Sequence, residues 1–223
     1  MTKLYTCLWI TLSLFFIGES TVQGQDRKIE NDPEAKVILD KVSKKYRSFK
    51  SLKVEFKLSM ESAEGDLNES YNGSAIIKDE KYRLETDQLI VICDNVKRWT
   101  YLKDSKELQI NFYEPDPENI ESPAQLFTIY EKDFYYRLLE ENNGVAKIEL
   151  IPQDISESPF ERIHLFVNTA KSEIEKAQIR NKDKVEFTWQ IETFNPNLEL
   201  DEGQVFAFDN SKHEVVHEED LTK

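Results

Sequence analysis

The sequence predicts a mainly β chain with a few helices (α+β), built on one large, curved antiparallel sheet. From Leu52 onward apolar and polar residues alternate with a period of two in run after run, and turn residues separate the runs. Nearly every run is apolar on one side only. Antiparallel sheets with one wet face read this way, whereas buried parallel strands read as continuous apolar stretches. The chain also supplies few helical segments to cover such a sheet, so part of its apolar face is expected to be left for a guest.

The first element after a polar stretch at residues 25–31, expected to be a loose tail, is a helix. Asp32 offers an N-cap, Pro33 suits the first helical position, and Ile38, Leu39, Val42 and Tyr46 recur at helical spacing. The period then changes to two: Leu52, Val54, Phe56, Leu58 and Met60 fall on one face, and Lys53, Glu55, Lys57, Ser59 and Glu61 on the other. Similar runs follow at Leu108, Ile110, Phe112 and at Val185, Phe187, Trp189, Ile191, with turns such as Glu64-Gly65-Asp66, Asp94-Asn95 and Asn142-Asn143-Gly144 between strands. About ten strands are expected. Between Phe112 and Asp133 the alternation breaks, and Ser122-Pro123 can start a short helix carrying Leu126, Phe127 and Tyr130.

Composition excludes several functions. With 29 Lys+Arg against 43 Asp+Glu, a net charge of -14 and no basic run, the chain is unsuited to a phosphate backbone, so no nucleic-acid partner is expected. Six glycines, only Gly65, Gly73, Gly144 and Gly203 beyond residue 24, cannot write a dinucleotide fingerprint or a P-loop. Yet 13 Phe, 9 Tyr and 3 Trp are too many for a disordered chain. Lys3, the apolar run Leu8–Ile17 and the small residue Gly24 match a secretory signal cleaved after residue 24. That leaves a single domain over residues 25–223, exported and, in the reading developed below, periplasmic. Cys7 precedes the apolar run and so cannot be an acylated lipoprotein cysteine. Cys93, in the strand-like LIVIC, is then the lone thiol and reads as buried and inert.

The order of these elements resembles the LolA-type periplasmic carriers of outer-membrane lipoproteins over essentially the whole mature chain. The resemblance rests on the opening DPEAKVILDKVSKKYRSFKSLKVEFKL, the glycine-led strand Gly73–Lys78 followed by Lys81-Tyr82-Arg83-Leu84, and the strand, turn and strand around Asp94-Asn95 with Trp99-Thr100-Tyr101. It continues in Pro123-Ala-Gln-Leu126 and in a closing strand at Val205-Phe206-Ala-Phe208-Asp209 with a terminal Asp220-Leu221. It implies an incomplete, half-open β-barrel with a helical lid and a hydrophobic cavity. It also implies acylated lipoproteins as cargo, an inner-membrane release complex as donor, an outer-membrane acceptor, no cofactor and no enzymatic activity. The protein is expected to act as a monomer. The alternative is a periplasmic lipid- or lipoprotein-binding sensor module on the same half-barrel. This chain departs from the family at three points. Asn95 replaces a turn glycine, an arginine expected to contact the lid has no counterpart in Lys78-Asp79-Glu80-Lys81, and Lys212-His213-Glu214 replaces a Pro-Gly turn.

Candidate cavity residues are the aromatics Phe56, Tyr82, Trp99, Tyr101, Phe127, Tyr130, Phe134 and Tyr136, together with Leu52, Val54, Leu58, Leu84, Ile110, Phe112 and Leu126. Any of them serves equally as ordinary core. The sharpest competing signal is His213-Glu214-Val215-Val216-His217, which spells the H-E-x-x-H of zinc proteases. That motif needs a helix. Val-Val favours a strand and only six residues remain for a third ligand, so a strand or loose end is expected and no metal site is assigned. His164, beside Ile163 and Leu165 on the face of Arg162, reads as a solvated strand histidine.

Overall fold

The structure, a computed structural model, describes residues 30–114 and 123–222. The leader assigned to residues 1–24 and the Ser122 cap lie outside the described residues. Among the described residues no helix is long and apolar enough to cross a membrane.

Helix α1 (Pro33–Arg47) is set at its start by Asp32, whose Oδ1 accepts the backbone N–H of Glu34 at 2.8 Å. The other carboxylate oxygen, Oδ2, accepts the N–H of Leu138, and these contacts, Leu138 foremost, hold the carboxyl below the usual aspartate range. One side chain thus caps the helix and ties it to a strand about a hundred residues away. Asn31 adds a second tie by accepting the N–H of Tyr136, so the expected loose tail is anchored at its end. Ala35, Leu39, Val42 and Ser43 form the buried stripe of α1.

The strands are β1 (Leu52–Ser62), β2 (Asn68–Lys78), β3 (Lys81–Thr86), β4 (Leu89–Cys93), β5 (Lys97–Leu102), β6 (Glu107–Phe112), β7 (Phe134–Asn142), β8 (Val145–Pro152), β9 (Phe160–Asn168), β10 (Glu173–Asn181), β11 (Val185–Pro196) and β12 (His217–Asp220). They form one open sheet in the order β12-β6-β5-β4-β3-β2-β1-β11-β10-β9-β8-β7. Every pair is antiparallel except β12 on β6. Two strands more than expected are present among the described residues, one of them the tail strand β12. Asn95 takes a positive φ of 74° in the β4–β5 turn, so the missing glycine there is tolerated.

Gly73 does need to be glycine. A Cβ there would stand 2.6 Å from the Phe56 ring and 2.8 Å from the carbonyl oxygen of Glu85, because Phe56 pairs directly with Gly73 and its ring lies across it.

Two 3-10 turns, Pro123–Phe127 and Ile129–Glu131, cross one face of the sheet and are called the lid. The lid touches β2 while its neighbour α1 touches β7. Those strands stand six positions apart, about 29 Å in a flat sheet at about 4.8 Å per strand. The sheet therefore curls around the helix and lid.

Each face has its own apolar cluster. The face under α1 and the lid gathers Leu52, Val54 and Phe56 with Tyr82 and with the inward residues of β8, β9 and β10, among them Ile148, Leu150, Ile163 and Leu165. The opposite face gathers Ile90, Ile92, Tyr101, Leu108 and Ile110 against Phe206. The second cluster is covered by a strap, residues 197–216, which contains the single helical turn α2 (Glu202–Val205). The closing strand expected at Val205–Asp209 is thus replaced by a helical turn and irregular chain. Phe206 and Phe208 are dictated by packing onto the outer cluster and not by strand pairing.

Candidate functional site

The face beneath α1 and the lid collects eleven of the fifteen predicted cavity residues. Leu52, Val54, Phe56, Tyr82, Leu126, Phe127, Tyr130, Phe134 and Tyr136 are buried there, and Leu58 and Leu84 pack on them from the margin. The remaining four are corrected. Trp99, Tyr101 and Ile110 belong to the outer cluster under the strap, and Phe112, on their side of the sheet, is 57% exposed. Register explains the switch. Cys93 pairs with Arg98 and Ile92 with Trp99, so the residues of β5 and β6 that share the inner face with Cys93 are Arg98, Thr100, Gln109 and Asn111. Strand β4 is apolar on both sides because it is covered on both sides, with Val91 and Cys93 facing the inner cluster and Ile90 and Ile92 the outer one. The continuous run LIVIC was the signal for a second cover.

The expected hydrophobic cavity is small in this closed form. A cavity lined by Val54, Phe56, Leu126, Phe127, Ile174, Ala177, Trp189 and Ile191 persists beneath the lid, but its volume is about 20 Å³. That holds about one water molecule. The apolar face is shut, and it is shut by the lid, not by closure of the sheet.

Lid closure combines two kinds of contact. At its second turn the Tyr130 hydroxyl lies 2.9 Å from both Ser43 Oγ and Asp40 Oδ1, and Arg47 pairs with Glu131. The Arg47 guanidinium holds the Glu131 carboxyl below its usual range, while burial pushes the Tyr130 hydroxyl up. At the first turn Leu126 and Phe127 are buried, and the Phe127 ring stacks on Tyr46 with centroids 3.3 Å apart. The lid is thus held against α1, through Arg47, Ser43, Asp40 and Tyr46. Sequence reasoning missed these four as lid contacts because their partners lie about eighty or more positions away.

Clefts flank the lid on both sides. One, of about 410 Å³, lies between the α1–β1 link, the β2–β3 turn and the first lid turn; Tyr46, Phe49, Leu52, Ile77 and Phe127 contribute its apolar wall. The other, of about 660 Å³, lies between the second lid turn and the 152–160 segment, and carries Asp133, Asp154 and Glu157 around Ile129, Phe134 and Phe160.

The remaining motifs resolve differently from one another. Residues 213–216 are irregular and His217 opens β12, so the H-E-x-x-H stretch lacks the helix that would bring its imidazoles onto one face. His213 instead packs against Tyr101 and Phe208, each ring centroid 5.2 Å away. Cys93 is buried. His164 is not solvated: its side chain is 14% exposed and its Nε2 lies 3.3 Å from Glu149. Burial depresses the imidazole pKa, with Lys147 and Arg162 adding to the effect against the pull of Glu149. Burial raises Glu149, but His164 and Arg137 outweigh it and keep the carboxyl low. This trio satisfies polar groups on the outer face.

No family model matches the chain, and no curated protein matches it in sequence. Among solved structures, an uncharacterized conserved protein from Thermus thermophilus aligns over 84% of this chain and 99% of its own, at 13% identity and a TM-score of 0.54. The two share a fold. A LolA superfamily protein from Nitrosomonas europaea aligns over 78% of this chain and 98% of its own at 12% identity and a TM-score of 0.43. A putative outer membrane lipoprotein-sorting protein domain from Vibrio parahaemolyticus aligns over 77% and 97% at 11% identity and a TM-score of 0.41. The fold shared with the Thermus thermophilus protein is one unclosed antiparallel sheet curled around a helix and a lid.

Proposed function

We propose that this chain is a periplasmic carrier that shields the acyl chains of lipoproteins between the inner sheet face and the lid, taking them from an inner-membrane release complex to an outer-membrane acceptor. The observation that carries the proposal is the nature of the seal. A large apolar face, on which the sheet does not close, is covered by a nine-residue lid whose underside is Leu126 and Phe127. Lifting that segment exposes apolar surface without breaking the strand ladder. The closed form keeps that surface from water when no cargo is bound, as a soluble protein with an apolar site requires.

The energetics demand such a shield. An acyl chain gains about 0.8 kcal/mol per buried CH₂, so one of about 16 carbons would cost roughly 12 kcal/mol to release into water. Spontaneous transfer through water is then negligible, and a carrier must hand its cargo directly to an acceptor that binds it better. Such a hand-over runs down a gradient of affinity and requires no nucleotide site in the carrier. Replacing lid contacts by acyl contacts exchanges one apolar neighbour for another, which keeps loading and unloading close to balance.

The test is mass spectrometry of the protein recovered from its native compartment. Triacylated protein is expected to accompany it at up to equimolar amounts, and detergent is expected to displace it. Recovery without any acylated species, together with no binding of fatty acid in vitro, would overturn the reading.

A further inference from the structure

We infer that an acyl chain enters through the smaller cleft, between the α1–β1 link and the β2–β3 turn, and that Phe127 is the gate between that cleft and the interior cavity. The inference rests on the carrier reading and assigns the route within it.

Connectivity decides between the two clefts. Phe127 lines both the 410 Å³ cleft and the 20 Å³ interior cavity. The larger cleft shares no residue with that cavity. Rotating one aromatic side chain off Tyr46 therefore joins solvent to the space beneath the lid on the first side, whereas no residue lines both the cavity and the second cleft. Both clefts carry charged rims, Lys50, Lys78, Asp79 and Glu80 on the first and Asp133, Asp154 and Glu157 on the second, so wall chemistry does not separate them; what distinguishes the first is that Tyr46, Phe49, Leu52 and Ile77 share its lining with Phe127.

Two walls of the smaller cleft are held from behind. Its first wall is held from behind by Asn197, where the chain leaves β11 with a φ of 60°: Asn197 Oδ1 accepts the Lys50 N–H at 2.9 Å and its own N–H donates to the Ser51 carbonyl at 2.7 Å. The Ser51 hydroxyl donates in turn to the Leu198 carbonyl at 2.8 Å. Its second wall, the turn after β2, is held by Glu202 of the strap, which pairs with Lys78 and, at 2.9 Å, with Lys81. The strap thus clamps two walls from the far side of the sheet. The third wall is the first lid turn, whose Leu126 and Phe127 make apolar contacts, and the second turn is tied to α1 through Tyr130 and Glu131.

The experiment follows uptake of cis-parinaric acid by stopped-flow fluorescence with the full mature chain. Phe127→Ala is expected to speed uptake at least about 5-fold by removing the gate. Ala124→Trp, in the cleft wall, is expected to slow it at least about 10-fold, and Lys50→Trp on the exposed rim gives the same reading should the first variant fold poorly. Glu157→Trp, in the acidic cleft, should leave the rate within about 2-fold. Slowing by Glu157→Trp with no effect of the other two tryptophans would overturn the route while leaving the carrier reading intact, and an unchanged or slower rate in Phe127→Ala would overturn the gate. Absence of uptake in both the wild type and Phe127→Ala would instead overturn the carrier reading, and the route with it.

Discussion

The two faces of this sheet carry similar apolar clusters under different covers. The inner face lies under α1 and a nine-residue lid, which Tyr130 and Glu131 tie to α1. The outer face lies under the strap, which is fastened at several points: Asn197 and Leu198 on the α1–β1 link, Glu202 on Lys78 and Lys81, and Glu214, whose carbonyl accepts the Tyr101 hydroxyl at 2.8 Å. Phe206 is buried in the outer cluster at 3% exposure, with Phe208 and His213 ringed around Tyr101. The contrast teaches that apolar burial alone does not mark a binding face. What marks it is a cover that leaves without unravelling the rest.

The largest expected effect comes from charging the inner face. Phe56 is 1% exposed against Gly73 and Trp189, so Phe56→Glu buries an unpaired carboxylate costing several kcal/mol, a large part of the roughly 5–15 kcal/mol that holds a domain folded. Urea titration should find it unfolded or close to it. Lys57→Glu, one residue on and exposed, should shift stability by no more than about 0.5 kcal/mol. Equal losses would show that the two faces are misassigned.

A middle-sized effect separates the covers themselves. Phe206→Ala should cost about 3–5 kcal/mol of global stability, as a buried aromatic truncation does. Phe127→Ala removes as much apolar surface, yet its global cost is capped by the free energy of opening the lid, because beyond that point the lid simply stays open. Equilibrium unfolding should therefore show the smaller loss in the lid variant, and amide exchange should show its protection lost only around residues 123–131. A larger global loss for Phe127→Ala would mean that the lid is part of the cooperative core.

The smallest effect is a pH dependence confined to the strap. The Glu202 carboxyl is held at about 2 by its hydrogen bonds to Lys78 and Lys81, against an ordinary value of 4.5. Its folded-state pKa is depressed, so its contribution is fully present above about pH 4.5 and is lost as pH falls from there through about 2. Amide exchange of residues 200–208, corrected for intrinsic rate, should rise across that window, and Glu202→Gln should remove the dependence. A dependence that survives the substitution would place the acid-sensitive clamp elsewhere.

Local pattern was sufficient for most of the elements, though not for the strap, where the strand expected at Val205–Asp209 is a helical turn and irregular chain. The Asp32 cap with Pro33, the alternation from Leu52, the turn at Asp94-Asn95 and the short lid segment at Pro123 are each read within a window of a few residues, because helical and strand periods are properties of neighbouring positions. The resemblance to carriers, assembled from several such windows in order, therefore predicted the architecture as well.

What only the tertiary structure decided is which cover each apolar face receives. Trp99 and Tyr101 alternate with polar neighbours just as Leu52, Val54 and Phe56 do, yet they point to the opposite side, since parity is set by pairing across β4 and not by the sequence of β5. The lid ties join residues such as Ser43 and Tyr130, and the strap clamp joins Lys78 and Glu202. Partners so far apart in sequence leave no periodic signal, because their proximity is produced by the curl of the whole sheet. The sequence determines by itself that there are one-sided strands in need of covers; the fold determines that one cover is a clamp and the other a lid.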